Sequence, residues 1–154
     1  MSFSIQPITK ENWRAFVKLK VRDDQAKFVA TNLYSVAEAQ FGHEDEFGHW
    51  DFFPFGIYDG DVPVGFFMYA LNFNAETQAF VARLMADEKH QGRGIGRFGI
   101  ETMLNRFRQD ERIKKVGISY EPENEVARKL YAKLGFEETG EILDGEVVAV
   151  QKIR

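Results

Sequence analysis

The hydrophobic positions of the chain change their period several times, and each change predicts a new element. Residues 3–8 alternate between apolar and polar types, which predicts a half-buried strand, and Pro7 favours an edge position. Thr9, a plausible N-cap, and Asn12 then start a predicted helix whose apolar residues are Trp13, Phe16, Val17 and Leu19. One or two shorter helices are predicted within 22–41. The acidic run 44–46 is interpreted as a solvated loop.

The middle of the chain predicts three adjacent strands. Two apolar, aromatic runs at 52–58 and 62–73 are separated by Asp59-Gly60-Asp61, a strong hairpin signal. Residues 78–85 alternate again and predict a third strand beside this hairpin.

The last third of the chain predicts alternating helices and strands. The predicted elements are a helix at 94–108, a strand at 115–120, a helix at 124–134 and two strands at 136–143 and 146–152. Gly135 suits the left-handed position after a helix, and Asp144-Gly145 suits the final hairpin turn. The unit 78–120 predicts parallel strands joined by a right-handed crossover, whereas the hairpins require antiparallel pairing. We therefore expect an α/β (α+β) protein with a mixed sheet.

Composition and charge exclude several classes of function but do not identify the function itself. A length of 154 residues predicts a single domain over 1–154, and a net charge of −4 gives no general attraction for nucleic acid. The absence of cysteine excludes disulfides and thiol chemistry, and the three histidines lack the spacing of metal ligands, so no metal is expected. No apolar run reaches the roughly 18 residues of a membrane span. Because no secretory signal is visible, the cytoplasm is the expected compartment.

A glycine-rich turn at 91–96 is the most informative segment. It connects the strand ending at Leu84-Met85-Ala86 to an amphipathic helix, so several backbone N–H groups lie at a helix N-terminus, where the helix dipole favours anions. Arg93 and Arg97 flank the turn and add positive charge that we expect to be mobile. These features predict a phosphate or pyrophosphate site.

The turn alone leaves several ligands open. Gly94, Gly96 and Gly99 also match a dinucleotide-binding G-x-G-x-x-G pattern, but the motif follows an antiparallel hairpin and too little chain remains for a doubly wound sheet. A Walker A loop is excluded because no Gly-Lys-Ser/Thr occurs. A turn that serves only close packing of helix and strand is the structural alternative.

Two separate motifs resemble the GNAT superfamily of N-acetyltransferases. Residues 91–96, QGRGIG, resemble its acyl-CoA pyrophosphate loop, Gln/Arg-x-x-Gly-x-Gly/Ala. Residues 124–136, NEVARKLYAKLGF, resemble its second signature, Asn-x-x-Ala-x-x-Leu-Tyr-x-x-x-Gly-Phe. The resemblance implies a six- to seven-stranded sheet with about four helices and a splay between strands 78–86 and 115–120. It also implies an enzyme that transfers an acetyl group from acetyl-CoA to an amine.

The same resemblance implies roles for individual residues. The expected contacts of acetyl-CoA are Leu84, Met85, Ala86, Gln91, Gly92, Arg93, Gly94, Ile95, Gly96, Arg97 and Asn124. Among these, the Met85 N–H is expected to face the thioester carbonyl as an oxyanion contact, and Asn124 is also a candidate helix cap. Tyr131 is the expected general acid that protonates the departing CoA thiolate, with a core tyrosine as the alternative.

The motifs do not identify the general base, because strand 78–85 lacks the glutamate that many relatives carry there. A water chain ending at Glu121, at Glu123 or in the acidic segment 44–46 is the hypothesis.

The amine substrate is predicted from charge and from a second resemblance. The segments after the first strand are acidic, and Asp23, Glu38 and Glu44 are the candidate substrate residues. Residues 55–69 and 140–148 are similar to those of bacterial spermine/spermidine N-acetyltransferases, which implies a polyamine or diamine substrate. The alternatives are another amine, such as a protein N-terminus or an aminoglycoside, and a non-catalytic acyl-CoA-binding module. A homodimer is a further possibility by analogy with relatives.

Overall fold

A mixed β-sheet organises the computed structural model, which describes residues 2–154. Its strands are β1 (Phe3–Pro7), β2 (His43–Asp45), β3 (Gly48–Asp59), β4 (Val62–Leu71), β5 (Ala79–Ala86), β6 (Lys115–Tyr120), β7 (Glu137–Leu143) and β8 (Glu146–Lys152). The spatial order is β1-β3-β4-β5-β6-β8-β7, and β2 pairs with β3 beside this path. Only β5 and β6 are parallel among the paired strands of residues 2–154. The predicted mixed sheet is confirmed, with one more short strand than expected.

Four α-helices accompany the sheet, as predicted. They are α1 (Trp13–Val17), α2 (Asn32–Phe41), α3 (Ile95–Arg108) and α4 (Glu125–Lys133). Two short 3-10 helices, at Asp23–Phe28 and Glu88–His90, complete the connections. None of the helices within residues 2–154 is long and apolar enough to cross a membrane.

One sequence interpretation is wrong, at the acidic run 44–46. Residues 43–45 form β2, which pairs antiparallel with β3 from His43↔Trp50 to Asp45↔Gly48. Asp45 accepts a hydrogen bond of 2.8 Å from the Trp50 indole N–H, so side-chain partners on β3 compensate for the low strand propensity of acidic residues. The strand β3 accordingly begins at Gly48, before the predicted residue 52.

The core lies on both faces of β4. On one face, Phe67 packs with the α3 residues Ile100, Met103 and Phe107. On the other face, Phe66 and Met68 pack with Phe16 of α1 and with Met85 of β5. Burial on both faces explains the continuous apolar run in β4, because neither face of this strand needs polar residues. The edge strand β7, in contrast, is exposed at all seven positions.

Candidate active site

A crevice opens in the sheet where β5 and β6 stop pairing. Parallel pairing extends only from Ala79↔Val116 to Val81↔Ile118, whereas β5 continues to Ala86 and β6 to Tyr120. The ladder between β5 and β4 shifts register immediately after the last of these pairs, leaving Ala82 as the extra residue of a β-bulge. Because a bulge bends its strand and increases the local twist, β5 diverges from β6 here. The predicted splay is confirmed.

The bulge also decides which backbone groups of β5 face this crevice. The Asp87 N–H donates to the Val64 carbonyl at 2.8 Å, which marks a hydrogen-bonded pair that continues the β4–β5 register. Since such pairs recur at every second residue of an antiparallel ladder, the backbone N–H and C=O of Met85 point into β4. Those of Leu84 and Ala86 point into the crevice. This corrects the expectation that the Met85 N–H faces the thioester.

The glycine-rich turn forms the N-terminus of α3 as predicted. Gly92 and Gly94 have φ of +79° and +81°, a left-handed conformation that favours glycine. Gly94 is the N-cap of α3 and supplies no side chain to cap it. The first intrahelical bond runs from Phe98 N–H to the Gly94 carbonyl, at 3.0 Å, so the N–H groups of 95–97 have no helical acceptor. A Cβ at Gly92 or Gly94 would meet nothing within 4 Å, which leaves room for an anion.

Arginines next to this turn are engaged with protein groups, contrary to the expectation of mobile charge. The Arg93 guanidinium donates to Asp59 in the β3–β4 turn and contacts His90 Nδ1 at 2.8 Å. A hydrogen bond from the Ser2 N–H, and then the Arg93 pairing, lower the pKa of Asp59. Arg97 donates to Glu101 at 2.8 Å, but this pair is exposed and contributes little. Arg93 therefore anchors the turn to the sheet.

Gln91 connects this turn to two other segments. Its amide donates to the Ala86 carbonyl at 3.2 Å, on the crevice side of β5, and to Gln25 Oε1 at 2.9 Å in the first 3-10 helix. The residue predicted to contact the cofactor thus also fixes the end of β5.

Helix α4 brings Asn124 and Tyr131 to the opposite side of the crevice. The Asn124 side chain caps the helix by accepting from the Ala127 N–H at 3.2 Å, which confirms the capping interpretation. Gly135, with φ +100°, ends the helix and lets the Phe136 N–H bond the Tyr131 carbonyl at 3.0 Å.

The Tyr131 phenol is buried but lies at the crevice. Its ring is 9% exposed and packs against Tyr120, at 5.6 Å between centroids, and against Phe136. Burial raises the pKa of Tyr131 above its usual range, with smaller contributions from Tyr120 and from the charge of Glu146. The phenol is therefore protonated at neutral pH and can act as a proton donor.

A cavity of about 980 Å³ passes through the crevice. It is lined on one face of the sheet by Ile118, Tyr120 and Tyr131, which belong to the core beneath α3 and α4. On the other face it is lined by alternate residues of the same strands, such as Ala82 and Ser119. A ligand that enters from one face can thus meet a ligand that enters from the other.

Carboxylates outnumber cations in the lining of this cavity. The acidic lining residues are Glu38, Asp45, Glu46, Glu76, Glu141, Asp144 and Glu146, and the basic ones are Lys27 and Arg83. Arg83 pairs with Glu38 at 3.1 Å, and Lys27 pairs with Glu123 at 3.5 Å. Both cations are therefore neutralised by carboxylates, and the cavity is suited to a positively charged ligand.

The cavity brings together only part of the predicted substrate and base set. Glu38 lines it, whereas Asp23, Glu44 and Glu121 are not among its lining residues. Glu44 instead bonds His49 on the outer β2–β3 hairpin. Sequence reasoning missed the acidic residues of the β7–β8 hairpin, although their segment was noted for a family resemblance. Within residues 2–154, no three His, Asp or Glu side chains form a group that could hold a metal ion.

Comparison with known proteins identifies relatives of this chain. The model of the Acetyltransferase (GNAT) family matches residues 9–136. A spermine/spermidine N(1)-acetyltransferase of Bacillus subtilis (strain 168) is 28% identical over 160 residues, covering 99% of this chain and all of that protein. Among solved structures, aminoglycoside acetyltransferase AAC(6')-Ib in complex with coenzyme A has a TM-score of 0.75 at 16% identity, with 99% and 95% of the two chains covered. The ribosomal-protein-S18-alanine N-acetyltransferase from Escherichia coli has a TM-score of 0.71 at 14% identity, with 98% and 94% covered.

Both structures share the fold of this chain, and the family model spans the β5–α3 turn as well as α4. The chain belongs to the Acetyltransferase (GNAT) family.

Proposed function

We propose that this acetyltransferase transfers the acetyl group of acetyl-CoA to a primary amine of a linear polyamine or diamine, such as spermidine or spermine. The observation that supports the proposal most strongly is the acidic cavity, which passes through the crevice and is lined by Tyr131. A spermine/spermidine N(1)-acetyltransferase among the relatives supports the same substrate class.

The cofactor is assigned to the side of the crevice where α3 begins. The pyrophosphate of acetyl-CoA is held by the N–H groups of the turn 92–96, where free donors and the helix dipole coincide. The pantetheine arm lies along β5, bonded to the backbone of Leu84 and Ala86 like an added strand. The Leu84 N–H then takes the oxyanion role first expected of Met85, since it is the one that points into the crevice.

Tyr131 is assigned as the general acid. The amine nitrogen attacks the thioester carbon, and the resulting oxyanion is stabilised by the Leu84 N–H. The C–S bond then breaks, and the CoA thiolate takes the phenolic proton of Tyr131. The role requires a protonated phenol, and burial, which raises the pKa of Tyr131, favours the protonated form over the phenolate.

The amine is assigned to the opposite face of the sheet. Primary alkyl ammonium groups have a pKa near ~10.4, so a polyamine carries several positive charges at neutral pH. Carboxylates of the β2–β3 hairpin and of the β7–β8 hairpin line one cavity and attract such a chain through several charges. A monoamine of similar size lacks these additional contacts.

Release of free CoA tests the proposal across amine classes. We expect turnover with spermidine, spermine and shorter diamines, and much lower kcat/KM with aminoglycosides and with peptides that carry a free N-terminus. The paired variants Asp45→Asn and Glu46→Gln should raise KM for spermidine more than KM for a monoamine of equal length.

Preferred turnover of an aminoglycoside or a peptide would refute the polyamine assignment. Tight CoA binding without turnover of any amine would identify a binding module instead of an enzyme.

A further inference from the structure

We propose that Glu146, acting through the Ser119 hydroxyl, accepts the proton that the attacking amine loses. The assignment rests on the proposed function for the identity of the amine but not for the acetyl transfer itself. It supplies the base that the sequence of β5 does not provide.

Ser119 lies at the mouth of the crevice. The last residue of β6 that pairs with β5 is Ile118, so Ser119 is the first residue of β6 beyond the point where the two strands diverge. Its side chain is half-buried, lines the cavity, and donates a hydrogen bond of 2.7 Å to Glu146 Oε1. A hydroxyl in this position has one proton committed to the carboxylate and lone pairs free toward the cavity.

Glu146 is held in place by the two strands around it. It opens β8 opposite Leu143 of β7, and the adjacent pair Tyr120↔Val147 joins β8 to β6. The carboxylate is half-buried and lines the same cavity as Tyr131. After burial and Tyr120, the charge of Glu146 is the third cause that raises the pKa of Tyr131.

The acid and the proposed base lie on opposite faces of the sheet. Tyr120 and Tyr131 belong to the core beneath α4, whereas Ser119 alternates to the other face, where the acidic cavity is located. The sulfur of acetyl-CoA approaches from the first face and the amine from the second. Each proton-transfer group is thus on the side where its partner enters.

Three other carboxylates of the cavity have different partners. Glu38 is paired with Arg83 at 3.1 Å, and Glu76 with Lys115 at 3.1 Å. Asp45 accepts from the Trp50 indole on β3. Glu146 differs from these three because its partner is a neutral hydroxyl at the crevice.

The proposed step balances its protons. The substrate ammonium first loses one proton to solvent, which gives the free amine. As the amine nitrogen bonds to the thioester carbon, a second N–H proton passes to Ser119 Oγ while the Ser119 proton passes to Glu146. The C–S bond then breaks, and the thiolate receives the proton of Tyr131. The products are a neutral amide and CoA thiol, and solvent returns Glu146 and Tyr131 to their starting protonation states.

Steady-state kinetics of Glu146→Gln over a range of pH test the assignment. General base catalysis contributes about 100-fold or more, so kcat with spermidine should fall by about 100-fold near pH 7. KM should change far less, and the loss should shrink as pH rises because hydroxide replaces the missing base. Ser119→Ala should lose about tenfold, since water can bridge the gap left by the hydroxyl.

Two matched carboxylates on β7 serve as comparisons. Glu137→Gln lies on an exposed strand outside the cavity lining and should leave both kcat and KM unchanged. Glu141→Gln lies in the lining without contact to Ser119 and should raise KM while leaving kcat largely intact. Calorimetric binding of CoA and thermal unfolding establish that each variant is folded.

The assignment would be overturned by a Glu146→Gln variant that keeps its kcat and shows only a raised KM. A loss of kcat that is equal at every pH would overturn it as well. If Glu146→Gln fails to fold, a folded Ser119→Ala with wild-type kcat overturns it instead. If spermidine is not turned over and another amine is, a pH-dependent loss of kcat with that amine supports Glu146 as the base while the polyamine proposal is refuted. A Glu146→Gln variant that retains its kcat with spermidine would support the polyamine proposal and refute Glu146 as the base.

Discussion

Replacing Gly94 with alanine tests whether the turn before α3 holds the pyrophosphate. Gly94 has φ +81°, and a Cβ there would meet nothing within 4 Å. The substitution therefore introduces no clash, and its effect comes from backbone conformation alone. A left-handed conformation costs a non-glycine residue roughly 1–2 kcal/mol.

This cost can appear in two measurements. If the free turn keeps its conformation, the cost lowers the free energy of unfolding and reduces Tm by about 2–8 °C for a chain of this size. If the free turn relaxes, it must return to the strained conformation when the pyrophosphate binds, and the Kd for CoA rises by about 5- to 30-fold. We expect the second outcome to dominate, because open space around Gly94 allows the turn to relax.

Gly140→Ala is a matched control for this experiment. Gly140 has φ +85° and equally open surroundings, but it lies on β7 and is not among the cavity-lining residues. Isothermal titration calorimetry with CoA should show weaker binding for Gly94→Ala and unchanged binding for Gly140→Ala. Acetyl-pantetheine, which lacks the pyrophosphate, should be used equally well as a donor by both variants. Equal CoA affinities of the two variants would refute the assignment of the turn.

Three further predictions concern single side chains. Tyr131→Phe should lower kcat by about 100-fold, because it removes the proposed proton donor. The Kd for CoA should stay unchanged, because the hydroxyl forms no hydrogen bond with another side chain of residues 2–154. CoA release measures kcat, and calorimetry measures the Kd. Glu38→Gln should raise KM for spermidine and lower Tm by a few degrees, because it leaves the half-buried Arg83 guanidinium without its carboxylate; unchanged values of both would contradict this. The Glu44 carboxylate raises the pKa of His49, so this pair should stabilise the protein fully below about pH 6.5 and lose its effect as pH rises through the raised pKa. The Tm difference between the wild type and Glu44→Gln, measured against pH, should therefore shrink toward alkaline pH, and a difference that grows there would contradict the sign.

Much of the fold could be predicted because the chain's local signals agree with its tertiary contacts. The strand β6 was predicted at its observed bounds, and Gly135 ends α4 in the left-handed conformation that its residue type favours. The segment 44–46 failed because its strand depends on long-range partners on β3, which no local pattern reveals. Residues with low strand propensity form strands when such partners are available.

Only those residues of the candidate site that belong to a recognisable sequence motif could be predicted. The glycine turn and the α4 signature predict the proposed cofactor side and the proposed general acid, Tyr131. The residues of the acidic cavity were predicted only in part: Glu38 lines the cavity, whereas Asp23 does not. Its remaining carboxylates come from three distant segments: the β2–β3 hairpin, the β4–β5 connection and the β7–β8 hairpin. Which of them face one cavity depends on sheet order, and charge composition alone does not encode that order.

A single extra residue in β5 determines how the site is built. The Asn72 N–H donates to the Gln78 carbonyl at 2.9 Å, so Gln78 and Phe80 turn their backbone groups to β4, and those of Val81 turn to β6. In an unbroken strand this alternation would turn Met85 toward the crevice, which is the arrangement first expected. The bulge at Ala82 reverses the alternation, so that Leu84 and Ala86 face the crevice instead. The irregularity that separates β5 from β6 therefore also supplies the backbone donors that the opened crevice needs. For this reason the oxyanion contact is assigned from the register, and residue spacing in the sequence is not sufficient to locate it.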